Sequence, residues 1–260
     1  MYRKMLFTIV LLSTTQAFGF DFMGPSSSKL TASDKSSAAI EYFECELEIK
    51  ADGIPEIGLT SATIKDVEFD KVSANFALGM GRGSEIFLRL GVADAEPDEE
   101  ENWDNVAGYV GSSDDNFIIG GGAKWTLAKS QNFSWGLLTQ VSWTNLDFDE
   151  KRYSIGGYSV NFSTEVEIVE FQIATGPTFD LTENVSFYGG PFLYFLSGDA
   201  DLDGTIDGLA GSVTTDLEQE SILGGYIGTE IRLGQNIAIG IEFQTISGSR
   251  GFGGQLAWRF

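Results

Sequence analysis

Histidine is absent from all 260 residues of the chain. That one absence excludes Ser-His-Asp hydrolysis, Cys-His chemistry and histidine-ligated metals. Cysteine occurs once, at Cys45, so no intramolecular disulfide can form. Cys45 alternates in phase with Phe43 and Leu47, which reads as a lipid-facing or packed thiol rather than a nucleophile. Bases are few: 16 Lys and Arg stand against 38 Asp and Glu, a formal charge of −22. A nucleic-acid partner, which needs a basic face, is excluded. With so many acids, chance carboxylate pairs are abundant and give no signal of glycosidase-type chemistry. No apolar run approaches the ~20 residues of a membrane helix. Proline is scarce, with 5 residues, while glycine reaches 32, as suits long strands that curve and pack closely.

The start of the chain reads as a secretory signal over residues 1–19. Arg3 and Lys4 form the basic end, residues 6–12 a short apolar run, and small residues at 15 and 17, or at 17 and 19, suit signal peptidase. Removing this segment, which holds no acid, takes the formal charge from −22 to −24. Residues 20–36 read as a flexible lead-in and residues 37–260 as one domain.

The chain ends Gly251-Phe252-Gly253-Gly254-Gln255-Leu256-Ala257-Trp258-Arg259-Phe260. Phe252, Leu256, Trp258 and Phe260 share one parity, while Gly253, Gln255 and Arg259 share the other. Side chains alternate faces along a strand, so this is a strand with an aromatic face and a polar face. A strand that closes a membrane barrel ends this way, because its outer face meets lipid and its backbone pairs with the first strand. On these residues the chain resembles bacterial outer-membrane β-barrel proteins, the small group that includes OmpA-like and opacity-type barrels. The resemblance covers most of residues 38–260 and is one of pattern, with only the last strand at motif grade. It implies residence in the outer membrane of a Gram-negative cell and transient contact with the machinery that assembles such barrels. Outer-membrane lipid is then the standing partner, and a monomer is expected. No peptidoglycan-binding domain follows the barrel, so the OmpA-type wall-anchoring role does not transfer.

The remaining pattern predicts an all-β, antiparallel up-and-down barrel of about ten strands. They fall near 38–50, 63–80, 85–95, 114–128, 132–147, 163–180, 185–198, 216–234, 236–247 and 250–260. Eight remain possible if the first hairpin lies outside the wall. Short turns alternate with longer connections near 51–62, 96–113, 148–162 and 199–215, the arrangement of periplasmic turns and outer loops. A phase slip between Phe69 and Val72 suggests a bulge. Trp125, Trp135 and Trp258, with Leu256 and Phe260 on the closing strand, are expected at one depth as an aromatic girdle and assembly signal. A soluble β-sandwich or lipocalin-like barrel would show the same period of two.

The expected inward parity collects Glu44, Glu46, Glu48, Arg89, Lys124, Glu170, Glu230, Arg232, Glu242 and Arg259. Near balance of sign favours a cross-barrel ion network that fills a narrow lumen. The competing reading is a narrow cation path along Glu44, Glu46 and Glu48. The strand count also matches the omptin proteases, but the histidine that those enzymes require has no counterpart, so no catalytic residue is assigned. Acid without base crowds 94–115 and 199–220. Within the second stretch, Asp199, Asp201, Asp203 and Asp207, with Gly204, resemble the first nine positions of a calcium loop. Position twelve is Ala210 where such loops carry Glu, and plain acidic turns are the alternative. Calcium is the only cofactor considered; otherwise none is expected.

Overall fold

The computed structural model describes residues 20–30, 35–52, 61–97, 116–155, 158–206, 209–219, 222–247 and 249–260. Eleven strands run in chain order. They are β1 (Ser36–Asp52), β2 (Ser61–Gly81), β3 (Ser84–Pro97), β4 (Asn116–Lys129), β5 (Phe133–Ile155), β6 (Tyr158–Asp180), β7 (Val185–Ile206), β8 (Leu209–Gln219), β9 (Leu223–Leu233), β10 (Ile237–Ile246) and β11 (Ser249–Arg259). Every pairing is antiparallel, and β11 returns to β1 through the register Ser37↔Arg259 to Glu46↔Arg250. The sheet therefore closes on itself, which is what lets a β-structure sit in hydrocarbon without unpaired peptide groups.

The wall has ten staves rather than eleven. The upper half of β7 pairs with β8 from Ser197↔Glu218 to Ile206↔Leu209, and its lower half pairs with β9 from Val185↔Ile231 to Leu193↔Leu223. β8, ending at Gln219, and β9, beginning at Leu223, thus share one stave, within the single expected strand 216–234. The tip of the short β10–β11 hairpin stops at Ile246 and Ser249, and beyond it β8 reaches β1 directly through Ile49↔Gln219 to Ala51↔Leu217. The first hairpin is part of the wall, so the eight-strand count does not hold.

Two other expectations are corrected. The connections near 148–162 and 199–215 are mostly strand: β5 and β6 run 23 residues each and β7 runs 22. Hydrogen bonding between facing strands simply continues past the membrane, as at Tyr153↔Val160 and Leu202↔Val213. The bulge is not at Phe69–Val72 either, where β2 pairs with β3 without interruption. The register instead shifts between Leu47 and Ile49, which face Val67 and Ile64. Phe69 breaks the apolar-out rule because it points inward and is buried. Most of the acidic connection 96–113 lies outside the described residues.

The outer surface explains the strand faces. Leu78, Phe76 and Val72 of β2, Ile86, Leu88 and Val92 of β3, and Phe179, Phe171 and Val169 of β6 are all exposed. Each row then turns acidic, at Asp70, Asp94 and Glu167. Glu44 pairs across from Asp70 and Asp70 from Asp94, so three neighbouring strands turn acidic side by side. A belt of this kind needs about 9–11 residues per tilted strand, so the 22- and 23-residue strands stand well clear of it on the long-hairpin side. Exposed Val141 lies in the middle of the belt. Val141→Arg is expected to cost about 2–4 kcal/mol in lipid vesicles, and Glu167→Arg, above the belt, about 0–1 kcal/mol. Equal effects in a urea titration would place the belt elsewhere.

Candidate functional site

The site is the lumen, and its occupant is the chain itself. Residues 20–30 do not form a free lead-in: Phe20 is 0% exposed, Phe22 3% and Met23 2%. This segment joins no strand ladder, and wall side chains hold its main chain. Glu242 accepts hydrogen bonds from the Met23 and Gly24 N–H groups at 2.9 Å each. Arg89 donates to the Phe22 carbonyl at 2.6 Å and Lys124 to the Met23 carbonyl at 2.7 Å. Gln244 donates to the Asp21 carbonyl at 2.8 Å. Lower down, Glu85 accepts from Ser28 Oγ, Lys29 N and Leu30 N at 2.9, 2.9 and 3.0 Å. Gly136 lets Ser26 and Ser27 lie against β5, since a Cβ there would sit 2.1 Å from the Ser27 nitrogen.

The charges form two groups. Deep in the barrel, Lys71 bridges Glu170 at 2.6 Å and Asp21 at 3.3 Å, while Arg89 bridges Glu41 at 2.8 Å and Asp21 at 3.0 Å. Tyr194 donates to Glu170 at 2.6 Å, and Gln140 and Gln172 are hydrogen-bonded to each other nearby. Burial pushes the Asp21 carboxyl up, but Lys71 and Arg89 outweigh it and hold the group below the usual carboxylate range. At the short-turn end, Arg259 meets Glu230 at 2.8 Å and Arg232 meets Asp180 at 3.5 Å, with Lys29 within 4.0 Å of Asp180. This second group is wetter: Asp180 is 39% exposed and Arg232 32%, against 3–6% for the deep group.

Above Phe20 the lumen turns apolar. The Phe20 ring packs edge-on to Phe192 and Tyr194, with centroids 5.6 and 5.1 Å away. Beyond it Ile118, Leu146, Val166, Ile168, Ala200 and Leu217 point inward and are 0–1% exposed. The interior is therefore a charged, hydrogen-bonded chamber that is wetter toward the short turns, and a dry layer at the other end.

Of the residues expected inward, Arg89, Lys124, Glu170, Glu230, Arg232, Glu242 and Arg259 all line the lumen in this way. Glu44 does not. It is exposed on the outer face, where the Tyr42 hydroxyl, which donates to Asp70 at 2.6 Å, also reaches it at 3.2 Å. Phe43 and Cys45 take the inward parity of β1 because they pack on the apolar layer, and Glu41 is the acid that faces Arg89. The side chains of Glu46 and Glu48 lie outside the described residues. The sequence pattern does not single out Asp21, Lys29, Glu41, Lys71 and Glu85, which the structure places in the lumen. Lys71 and Glu41 share parity with Phe43 and Phe69, so an apolar neighbour on the same face hid them.

The calcium-like segment is corrected by its conformation. Asp199–Ile206 is extended within β7, with Asp199, Asp201 and Asp203 in a row on the exposed face; Asp207 lies outside the described residues. A strand spreads alternate carboxylates along a line and cannot wrap them round an ion. The row instead faces Glu167, Glu165 and Ser163 on β6, and Asp216, Thr214 and Ser212 on β8. Among the described residues no group of three or more Cys, Asp or Glu is placed to hold a metal.

On the outer face near the short turns, Trp125 is 38% exposed, Trp135 39%, Leu256 38% and Phe260 66%. The Trp135 indole donates to Thr175 at 3.0 Å, and Trp258 pairs with Ala38 across the seam and with Ile237 of β10 on its other side.

No protein-family model matches the chain, nor does any curated protein. Among solved structures it is similar to the outer membrane protease OmpT from Escherichia coli, at 9% identity over 88% of this chain and 97% of that one, with a TM-score of 0.47. It is similar to the toluene transporter TodX of P. putida at 12% identity over 92% and 72%, TM-score 0.41. The attachment invasion locus protein Ail of Yersinia pestis is similar at 13% identity over 87% and 98%, TM-score 0.31. The assignment rests on the wall itself: a closed antiparallel sheet, apolar where lipid must lie and charged within. The chain is a closed antiparallel β-barrel of ten wall strands, built with the apolar outer belt of a membrane barrel.

Proposed function

We propose that the protein is a structural or surface-interaction barrel whose lumen is closed to free diffusion. The carrying observation is the double closure: a hydrogen-bonded segment over residues 20–30 below, and the dry layer of Ile118, Leu146, Val166 and Ile168 above. The deep charges are paired with one another and with the segment, so among the described residues no continuous aqueous file of carboxylates runs through the barrel. The cation path drawn from Glu44, Glu46 and Glu48 loses its first member to the outer face.

On this reading the short turns face the periplasm and the long hairpins stand outside the cell. There the β6–β7–β8 face presents Glu165, Glu167, Asp199, Asp201 and Asp216, a hydrated anionic surface that discourages non-specific contact. The protein works as a monomer, is exported by a cleaved signal, and is not an enzyme: it has no imidazole, and its one thiol is buried. Purified protein in a planar bilayer is expected to be electrically silent over hours at moderate voltage. Discrete conductance steps in the wild type would sink the closed-lumen reading and favour the channel.

A further inference from the structure

We propose that the lower lumen is a peptide-binding site, with residues 20–30 as its resident and exchangeable ligand. The ligand class is an extended peptide carrying an aromatic–acid–aromatic triplet, of which Phe20-Asp21-Phe22 is the example present. The inference rests on the closed-lumen reading for where the segment sits, and goes beyond it in what the wall recognises.

Three observations carry it. First, the wall reads main chain by side chain. Carboxylates accept the N–H groups of Met23, Gly24, Lys29 and Leu30, and cations or amides donate to the carbonyls of Asp21, Phe22 and Met23. That is how a groove holds an extended peptide; a strand of the wall would be held by its ladder instead. Second, the triplet is read separately. Phe20 enters an aromatic pocket of Phe192 and Tyr194, and Asp21 is clamped by Lys71 and Arg89. Third, the chamber is wetter toward the short turns. Exposure rises from 3–6% around Asp21 to 39% at Asp180, so a ligand enters from the short-turn side and stops at the dry layer. The wall closes on itself through β1 and β11 without any help from the segment, so an emptied chamber would keep its shape and fill with water.

Cys45 supplies a native reporter. It is 2% exposed, lies at the blind end in the same apolar cluster as Phe20, and is the only thiol in the chain. In the wild-type barrel a water-soluble maleimide is expected to leave Cys45 unmodified. Asp21→Lys sets a third cation against Lys71 and Arg89 and is expected to release the segment, raising the labelling rate at least roughly ten-fold, the factor that 1.4 kcal/mol of lost binding gives. A synthetic peptide with the sequence of residues 20–30, added at up to millimolar concentration, is then expected to restore protection, and a scrambled peptide is not. Gly136→Leu, which blocks the wall where Ser27 lies, is expected to label without being rescued by the peptide. Heat-shifted migration on a gel certifies that each variant is folded, and Phe20→Ser serves where Asp21→Lys does not assemble. A folded release variant whose Cys45 stays inert, or one that labels and is never protected by the peptide, overturns the proposal. Either result leaves the bilayer test of the closed lumen standing on its own.

Discussion

Deleting Trp258, Arg259 and Phe260 is expected to remove the protein from the outer membrane. The cut takes away the last rungs of the seam, Ala38↔Trp258 and Ser37↔Arg259, and the flanking bond in which Phe260 N–H donates to the Ser36 carbonyl at 2.8 Å. It also removes Arg259, leaving Glu230, which is 6% exposed, without its closest cation. An open seam presents unpaired peptide groups to hydrocarbon, each costing several kcal/mol. Comparison of boiled and unboiled samples of purified outer membranes should show the folded band reduced by more than about ten-fold, since even 1–2 kcal/mol changes abundance several-fold. An undiminished, heat-shifted band would mean that closure does not depend on these rungs.

Arg89→Met is the second large effect. Arg89 is 3% exposed and serves three acceptors: Glu41 at 2.8 Å, Asp21 at 3.0 Å and the Phe22 carbonyl at 2.6 Å. Removing one partner of a buried network strands the others, at about 3–5 kcal/mol. Asp21 keeps Lys71, and Glu41 keeps Gln255 at 2.7 Å and Asn75 at 3.1 Å, so the loss belongs toward the lower end of that range. Arg232→Met is the control. Its pair with Asp180 is 3.5 Å long and about one-third exposed on both sides, so solvent screening leaves it about 0–1 kcal/mol. Urea titration of both variants in vesicles, followed by tryptophan emission, measures the difference. Equal losses would mean that the deep network contributes no more than a surface pair.

The wall was legible because lipid enforces one rule on every stave. Wherever β4, β5 or β10 crosses the belt, apolar side chains must face out, so Phe117, Trp135 and Ile241 announce their parity directly. The rule fails above the belt. There water lies outside and the packed layer lies inside, so Phe43, Phe69, Leu146 and Val166 are apolar and inward. A reading that kept one convention along the whole strand put Glu44 in the lumen and left Glu41 out. The acidic hairpins misled for a related reason. Asp and Gly are common in turns, but Asp199–Ile206 has a partner strand on each side, and the ladder outweighs local preference. Residues 20–30 were illegible in principle. Pro25 and three serines in succession carry no periodicity, and the segment is held mainly by side chains 50 or more positions away.

That separation has a consequence in time. Met23 is held by Glu242, 219 positions further along the chain, and residues 20–30 are also held from β2, β3, β4 and β5. The segment is synthesised before any of those strands. Its seat is complete only when β10 has joined the wall, so what is made first is placed last. Contacts of such span are slow to form and reward nothing until they are all present. Burial of Phe20 is therefore a completion signal: it marks molecules whose wall has closed and separates them from those still being built.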